Sequence, residues 1–291
     1  MPLAAFPKCF IRAILQDRTM TIRDFVDLAS GIGLDGVELY SPMLAGWDDS
    51  RLHALKTCAD DRNIKLAMMC HSPDFTQPEA AARRAEVLRE AEVIRQTALL
   101  GGRYCRVLSG QDRAELRIAD GIRFAVDCIM ALLPIAETYG VTLTLENHFK
   151  DDLWERPEFA RRADRFVELV NAIPETPWFG VNFDPSNATV NGDDPLALLQ
   201  TVKRRVVTMH ASDRYLPNGE LPGSDIEYAM LRHGVIGQGL NDYDAIFGIL
   251  RSVDFQGWVS IEDGVDPSRG VEDLRASARF LRQKMAEYGI A

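Results

Sequence analysis

The sequence lacks the features that would place it at a membrane or outside the cell. It contains no run of 18 apolar residues, so no membrane-spanning helix is expected. Its first ten residues, MPLAAFPKCF, do not show a charged region followed by an apolar core, so no secretory signal peptide is expected. These absences predict a cytoplasmic protein that makes no contact with a membrane.

Cysteine is scarce and follows no recognisable pattern. The chain has five cysteines, an odd number, and no two of them are spaced C-x-x-C. This argues against a disulfide framework and against a structural zinc knuckle. Reduced thiols, mostly buried as small apolar side chains, are the expectation. The cysteines are Cys9, Cys58, Cys70, Cys105 and Cys128.

Positive charge is in deficit, and nucleotide-binding motifs are missing. Lysine and arginine number 33 against 43 acidic residues, which gives a formal net charge of −10. Such a balance repels a phosphate backbone and predicts no nucleic-acid partner. No G-x-x-x-x-G-K-[ST] motif occurs, and Gly237-Gln238-Gly239 is too short for a dinucleotide fingerprint. No nucleotide cofactor is therefore expected.

Short apolar runs alternate with longer amphipathic segments along the whole chain. The runs have the length of buried strands, and in the longer segments apolar residues recur at i, i+3 and i+4, which indicates helices. The predicted strands are residues 9–15, 36–40, 65–70, 103–109, 141–146, 178–184, 206–211 and 258–263. The predicted helices are residues 21–32, 48–62, 79–100, 115–139, 158–172, 194–203, 241–252 and 269–288.

Eight strand–helix units without a linker between them predict an α/β fold, a single (β/α)₈ TIM barrel. α/β barrels of roughly 250 residues form one domain, so residues 1–291 are expected to form a single barrel domain. The longest irregular stretch covers about residues 212–240, after the seventh strand. A loop of that length in a compact domain is usually functional.

Four consecutive predicted strands end in side chains that bind metal ions. In a barrel of this kind the chemistry lies at the carboxyl ends of the strands, which here carry Glu146, Asp184, His210 and Glu262. Carboxylate oxygens with one imidazole nitrogen suit a single divalent cation, with Mn²⁺ as the first choice and Mg²⁺, Co²⁺ or Zn²⁺ as alternatives. A single acid at a strand end is more often a helix cap, but four such residues on adjacent strands favour a metal site.

Six motifs, in their order and spacing, resemble the xylose isomerase-like TIM barrel superfamily, the sugar phosphate isomerase/epimerase family. The resemblance implies that the four strand-end residues ligate the metal and that Glu146 and Glu262 also carry the proton chemistry. It leaves a homodimer open, because barrels of this group often pair. The motifs are GLDGVELY (33–40), TLENH (144–148), NFDPSN (182–187), MHASDR (209–214), GVIGQGLNDYDAIF (234–247) and WVSIED (258–263).

The expected activity is a metal-dependent isomerase or epimerase of a small carbohydrate, such as a keto-sugar, a polyol or a keto-inositol. The metal would stabilise an enediolate while a carboxylate removes the proton next to the carbonyl. The main alternative keeps the enediolate but ends in β-elimination, as in a dehydratase or a lyase of 3-keto-glycosides. A non-catalytic binding barrel is a more remote alternative. No Lys/Arg cluster is evident at the predicted strand ends, so an uncharged substrate is favoured over a sugar phosphate.

Two groups within this superfamily carry a histidine at a position where this chain has Asn187. Ketose 3-epimerases carry a histidine three residues after the strand-six aspartate, and this chain has Asn187 there. An apurinic endonuclease would use His71 and His233, which match two of its ligand positions, but it also requires a histidine where Asn187 stands. Leu231 replaces one of its aspartates, so a three-metal site cannot be assembled.

Other polar residues near the predicted strand ends are candidates for substrate binding. Several follow a strand directly, and others flank the long loop. Glu38, at the end of the second strand, is expected to brace the metal-binding carboxylates. The substrate-binding candidates are His71, His148, Asn187, Asp213, Arg214 and His233.

Overall fold

The computed structural model describes residues 1–216, 230–262, 264 and 268–289, and within them eight parallel strands close into a barrel. Strand β1 pairs with β2 on one side and with the last barrel strand, β10, on the other, which closes the ring. The predicted (β/α)₈ TIM barrel is confirmed. The barrel strands are β1 (Leu3–Ala5), β2 (Gly36–Tyr40), β3 (Lys65–Cys70), β4 (Tyr104–Val107), β5 (Thr142–Glu146), β6 (Phe179–Phe183), β7 (Val206–Ala211) and β10 (Trp258–Ile261).

Helices connect the strands and cover the outside of the barrel. None of the helices in the described part of the chain has both the length and the apolar character needed to cross a membrane. They are α1 (Ile11–Leu15), α2 (Ile22–Ile32), α3 (Asp49–Asp60), α4 (Ala80–Leu99), α5 (Ile118–Tyr139), α6 (Ala163–Ala172), α7 (Pro185–Val190), α8 (Pro195–Val202), α9 (Tyr243–Arg251) and α10 (Gly270–Glu287).

The predicted strand at residues 9–15 is wrong. The first strand is β1, and residues 9–15 instead form the end of a 3₁₀ turn (Lys8–Phe10) followed by α1. Phe10 and Ile14 are buried four residues apart, which is the helical period. β1 escaped prediction because it has three residues, Leu-Ala-Ala, with no β-branched or aromatic side chain.

Helix α2 shows how local sequence sets an element's limits. Thr21 accepts a hydrogen bond from the backbone N–H of Asp24, and the Asp24 carboxylate accepts one from Thr21, so both halves of a capping box are present. Gly33 ends the helix in the left-handed region with φ of 85°, which glycine adopts without steric cost. The chain then turns directly into β2, which carries Glu38 into the barrel.

The long loop predicted at about residues 212–240 is partly described. Its two ends form a short antiparallel pair, β8 (Arg214–Tyr215) and β9 (Arg232–His233). Residues 217–229 lie outside the described residues, as do 263 and 265–267. The pairing of β8 with β9 brings the two ends of the loop together just after β7.

Candidate metal centre

The four predicted ligands meet at the carboxyl-terminal face of the barrel. Glu146 ends β5, Asp184 follows β6, His210 lies in β7 and Glu262 follows β10. One ligand atom from each lies within 4.8 Å of those of the other three, and all four side chains are buried. They converge because the strands are parallel, so their carboxyl ends open onto the same face.

The spacing and charge of this group fit one divalent cation. His210 Nδ1 lies 2.8 Å from Glu262 Oε2 and 3.2 Å from Glu146 Oε1. Ligands bound at about 2.0–2.2 Å stand roughly 3–4.4 Å apart, so these two separations are within a few tenths of an ångström of what a shared ion requires. Burial, together with the negative charges of Glu146 and Glu262, raises the pKa of Asp184 to about 6. A cation would relieve this repulsion among buried carboxylates.

Glu38 contacts the His210 imidazole on the nitrogen that faces away from the cluster. Glu38 is fully buried, and its Oε2 lies 2.8 Å from Nε2 of the imidazole. Burial opposes a charge on His210, but attraction by Glu38, Glu146 and Glu262 exceeds it and raises the pKa of His210 well above its ordinary value. With Nε2 directed at Glu38, Nδ1 is the nitrogen that faces the cluster and is available to an ion.

Asp184 is a helix cap as well as a candidate ligand. Its Oδ1 accepts hydrogen bonds from the backbone N–H of Asn187 at 2.9 Å and from the Ser212 hydroxyl at 2.6 Å, and it begins α7. Asn147 fixes the adjacent backbone, because its side chain bonds both the N–H of Asp184, at 2.9 Å, and the carbonyl, at 2.6 Å. The Asp184 carboxylate therefore caps α7 and is also a candidate metal ligand.

Each of the two candidate catalytic glutamates also touches a cation. Glu146 Oε2 lies 2.9 Å from Arg106 Nη1, and Glu262 Oε1 lies 3.0 Å from Lys8 Nζ. Each glutamate therefore has one oxygen at the cluster and one at a cation. The sequence shows no Lys/Arg cluster at the predicted strand ends, and the structure places one cation beside each glutamate.

Both cations had a signal in the sequence. Arg106 is a charged residue inside an otherwise apolar strand, a position that implies a buried partner. It is held by Ser72 Oγ at 2.9 Å as well as by Glu146. Lys8 was hidden by the misplaced first strand, since it immediately precedes residues 9–15. Placing β1 at Leu3–Ala5 puts Lys8 at the start of the 3₁₀ turn that follows the strand.

Two of the predicted substrate-binding residues lie beside the cluster. Asn187 Nδ2 donates to Glu146 Oε1 at 3.2 Å. His148 is nearly buried, and its Nδ1 lies 3.4 Å from Oε2 of Glu158. Glu158, which the sequence reading missed, is itself fixed by the backbone N–H and hydroxyl of Ser109. Contact of either residue with a substrate stays a prediction.

Two further candidates make their contacts within loops. His71 Nδ1 is 2.6 Å from Ser41 Oγ, and burial and the neighbouring Arg106 lower the pKa of His71 to about 4. Asp213 accepts hydrogen bonds from four backbone N–H groups and organises the turn after β9. Their proposed substrate contacts stay predictions. The four donors to Asp213 are Arg214, Gly237, Gly239 and Asn241.

The remaining two candidates, Arg214 and His233, face each other across the β8–β9 pair. His233 is close enough to Lys8 and Arg214 for their charges to matter. Burial and these two cations lower the pKa of His233 to about 2, so its imidazole is neutral. Substrate contact by either residue stays a prediction.

A cavity of about 490 Å³ is lined by Glu262, one of the four candidate ligands. Lys8, Arg106 and His148 also line it. This volume lies within the range of about 300–1,000 Å³ that holds small-molecule ligands. We refer to it as the site cavity.

Comparisons with known proteins concern the family and the fold of this chain. Residues 26–284 match the family described as the xylose isomerase-like TIM barrel. An inosose dehydratase of Bacillus thuringiensis (strain Al Hakam) is 22% identical over 175 residues, 58% of this chain and 54% of that protein. The chain therefore matches about half the length of this curated relative.

Solved structures show the same fold at lower identity. The IolI protein with a bound zinc atom has a TM-score of 0.76 and 18% identity, covering 99% of both chains. The D-psicose 3-epimerase of Clostridium cellulolyticum H10, solved with D-tagatose, has a TM-score of 0.75 and 15% identity, covering 98% of this chain and 99% of that one. These likenesses concern the fold.

Proposed function

Because the chain belongs to the xylose isomerase-like TIM barrel family, we propose that it is a divalent-metal-dependent enzyme acting on a small keto-sugar, polyol or keto-inositol. The reaction begins with removal of the proton on the carbon next to a carbonyl group. The observation that carries this proposal is the meeting of Glu146, Asp184, His210 and Glu262 within 4.8 Å at the strand ends.

The residues of the site have two roles, to bind a metal ion and to transfer a proton. Glu146, Asp184, His210 and Glu262 would hold the ion, with Mn²⁺ as the first choice. When bound, it acts as a Lewis acid that makes the α proton more acidic. A glutamate carboxylate takes that proton, and proton return to the same carbon from the opposite face gives an epimer. Return to the neighbouring carbon gives an aldose–ketose isomer.

Solvent isotope exchange tests the shared first step. Protein loaded with Mn²⁺ is incubated in D₂O with a panel of ketohexoses, ketopentoses and keto-inositols, and deuterium incorporation is followed by NMR and mass spectrometry. We expect incorporation at one carbon next to the carbonyl in at least one substrate. Absence of exchange across the whole panel, with metal binding verified, would contradict the proposal.

A second outcome, β-elimination, is favoured by the unequal exposure of the two cations that contact the glutamates. Arg106, the partner of Glu146, is 3% exposed, whereas Lys8, the partner of Glu262, is 23% exposed. Two-base epimerisation needs both carboxylates, but elimination needs one base and a cation near the departing oxygen. This arrangement, together with similarity to an inosose dehydratase, supports a dehydratase or lyase.

Product analysis separates the two outcomes. Elimination creates an unsaturated ketone with a new ultraviolet absorbance and releases water or an alcohol, whereas epimerisation and isomerisation conserve mass. We expect the same substrate that exchanges deuterium to show one of these signatures. An enone that appears at the rate of exchange would establish elimination.

A further inference from the structure

We propose that a second cavity, lined by residues of α1, α2 and α3, binds a small organic anion with an apolar body, of the class of aromatic carboxylates. This cavity measures about 370 Å³ and shares no lining residue with the site cavity. Three arginines line it, Arg18, Arg23 and Arg51, and we refer to it as the arginine cavity. It is separate from the metal centre, so its ligand does not depend on the proposed reaction.

The positive charge of the arginine cavity is not balanced by carboxylates of the protein. In the part of the chain that the structure describes, no acid lines the cavity and no carboxylate pairs with any of its three guanidinium groups. In a chain whose formal net charge is −10, three cations left together favour an anionic ligand. The carboxylates nearest to them in the sequence have other partners: Asp17 bonds Arg12, Asp24 bonds Thr21, Asp27 bonds Arg62, Asp48 bonds the N–H of Arg51, and Asp49 bonds Arg95.

Each of the three arginines lies where the local backbone disfavours it. Arg18 has φ of 55°, in the left-handed region that glycine and asparagine adopt more readily than arginine. Arg23 and Arg51 lie in the first turns of α2 and α3, where the helix dipole disfavours a cation. Departures from local preference concentrate at functional sites, so three of them around one cavity support a ligand there.

Most of the remaining wall of the arginine cavity is apolar and includes an aromatic ring. The Arg51 guanidinium lies over the Trp47 indole, with Cζ 4.2 Å from the ring centroid, a cation–π contact that positions the charge. A hydrocarbon group on the ligand would cover this wall, whereas an inorganic anion would leave it without a contact. An aromatic acid of about ten heavy atoms, at roughly 30 Å³ each, occupies about 300 Å³ and fits the cavity. The apolar residues are Ile14, Met20, Ile22, Met43, Trp47 and Ala54.

Three probes separate the charge of the ligand from its apolar body. Calorimetry on Mn²⁺-loaded protein would compare phenylacetate with phenylacetamide, which has nearly the same shape but no charge, and with acetate, which has the charge but no ring. We expect phenylacetate to bind at least about tenfold more tightly than either, because only phenylacetate meets both the arginines and the apolar wall.

Variants of the arginines locate the binding. Arg23→Gln and, separately, Arg51→Gln should each weaken phenylacetate binding by at least about fivefold, because a charge-assisted hydrogen bond is lost. Arg18→Gly should weaken it similarly while keeping or raising Tm, because glycine adopts φ of 55° without steric cost. Arg84→Gln, at an exposed arginine of α4, is the matched control and should keep the affinity within about twofold, since it removes a charge outside the cavity.

Four results would overturn the arginine cavity as a ligand site. They are no measurable binding of phenylacetate, equal affinity for phenylacetamide, equal affinity for acetate, and phenylacetate binding that survives in all three arginine variants. If such surviving binding also disappears on chelation of the metal, the anion binds at the metal centre instead. Deuterium exchange into the keto-sugar panel reports on the metal centre alone, so the failure of either proposal leaves the other intact.

Discussion

Glu38 and His210 reach towards each other across the barrel interior, from β2 and β7, and meet at 2.8 Å between Oε2 and Nε2. The strands are not neighbours in the barrel, so this contact links two otherwise separate parts of the wall. A carboxylate accepts and does not donate, so it fixes which imidazole nitrogen carries the proton. Glu38 is therefore a positioning residue for the candidate ligand His210.

Replacing Glu38 should weaken metal binding. We expect Glu38→Ala to lower affinity for Mn²⁺ and Zn²⁺ by about 10–100-fold, because the imidazole loses its orientation and basicity. Glu38→Gln keeps an acceptor oxygen and should recover part of the loss. Titration against a chelator of known affinity measures both. Glu137→Ala, at an exposed glutamate of α5, is the control, and an unchanged affinity in Glu38→Ala would remove this role.

Metal removal should lower thermal stability through Asp184. An ion at 100 times its Kd stabilises the folded state by about 2.7 kcal/mol, which corresponds to about 4–5 °C in Tm for a chain of 291 residues. We expect chelation to lower Tm by this order. Asp184→Asn should abolish the difference between loaded and metal-free protein, as followed by scanning calorimetry.

The chain provides a matched control for that variant. Asp194, like Asp184, caps a helix that begins with proline, and its Oδ1 accepts from the N–H groups of Leu196 and Ala197. Asp194 lies away from the cluster. Asp194→Asn should therefore keep the full metal-dependent shift in Tm. If both variants behaved alike, Asp184 would be a cap and nothing more.

Glu146→Gln should keep the fold and remove at least about 99% of turnover, a loss in the range expected for general acid–base residues. Arg106 would lose a carboxylate partner but keep Ser72, so the barrel should remain assembled. Initial rates measure turnover, and circular dichroism shows whether the variant is folded. A folded variant with near-normal turnover would exclude Glu146 from proton transfer.

Glu90 should make stability depend on pH. Burial raises the pKa of Glu90 to about 8, so it is protonated in the folded state and ionised in the unfolded state at neutral pH. Its contribution to stability is complete below about pH 4.5 and is lost as pH rises towards 8. Relative to Glu90→Gln, the unchanged protein should lose up to about 1.4 kcal/mol per pH unit across that interval.

Urea unfolding at pH 5, 6, 7 and 8 measures this slope. Glu90 is fully buried on α4 beside the Cys105 thiol, at 3.1 Å, whereas Glu137 is exposed. Glu137→Gln should therefore follow the pH dependence of the unchanged protein. Parallel slopes for the unchanged protein and Glu90→Gln would show that Glu90 ionises in both states.

The candidate ligands could be found from sequence because each stands at the end of a recognisable strand. The barrel rule places strand ends together, so Glu146 and Asp184 needed no knowledge of the loops. Arg106 and Lys8 were missed for a physical reason. Their roles depend on which carboxylate they face, and that depends on side-chain packing across the barrel and on a three-residue strand too short to give a pattern.

The apolar residues that line the site cavity were beyond prediction for a similar reason. Ile11 and Leu15 look like core residues in the sequence, and in the structure both pack against the core and also line the site cavity. Leu153 lies in a turn, where no helix or strand period predicts the place of its side chain. Its place follows from three hydrogen bonds to Asp151, which join segments far apart in the chain.

The closure of the barrel by β1 has a consequence for how the chain is assembled. One edge of this strand pairs with Val259–Ile261, more than 250 positions later in the chain. On the ribosome that edge cannot pair until Val259–Ile261 have been synthesised. Contacts of such long sequence separation form slowly, so we expect the seam between β1 and β10 to form late and to bring Glu262 to its companions at that stage.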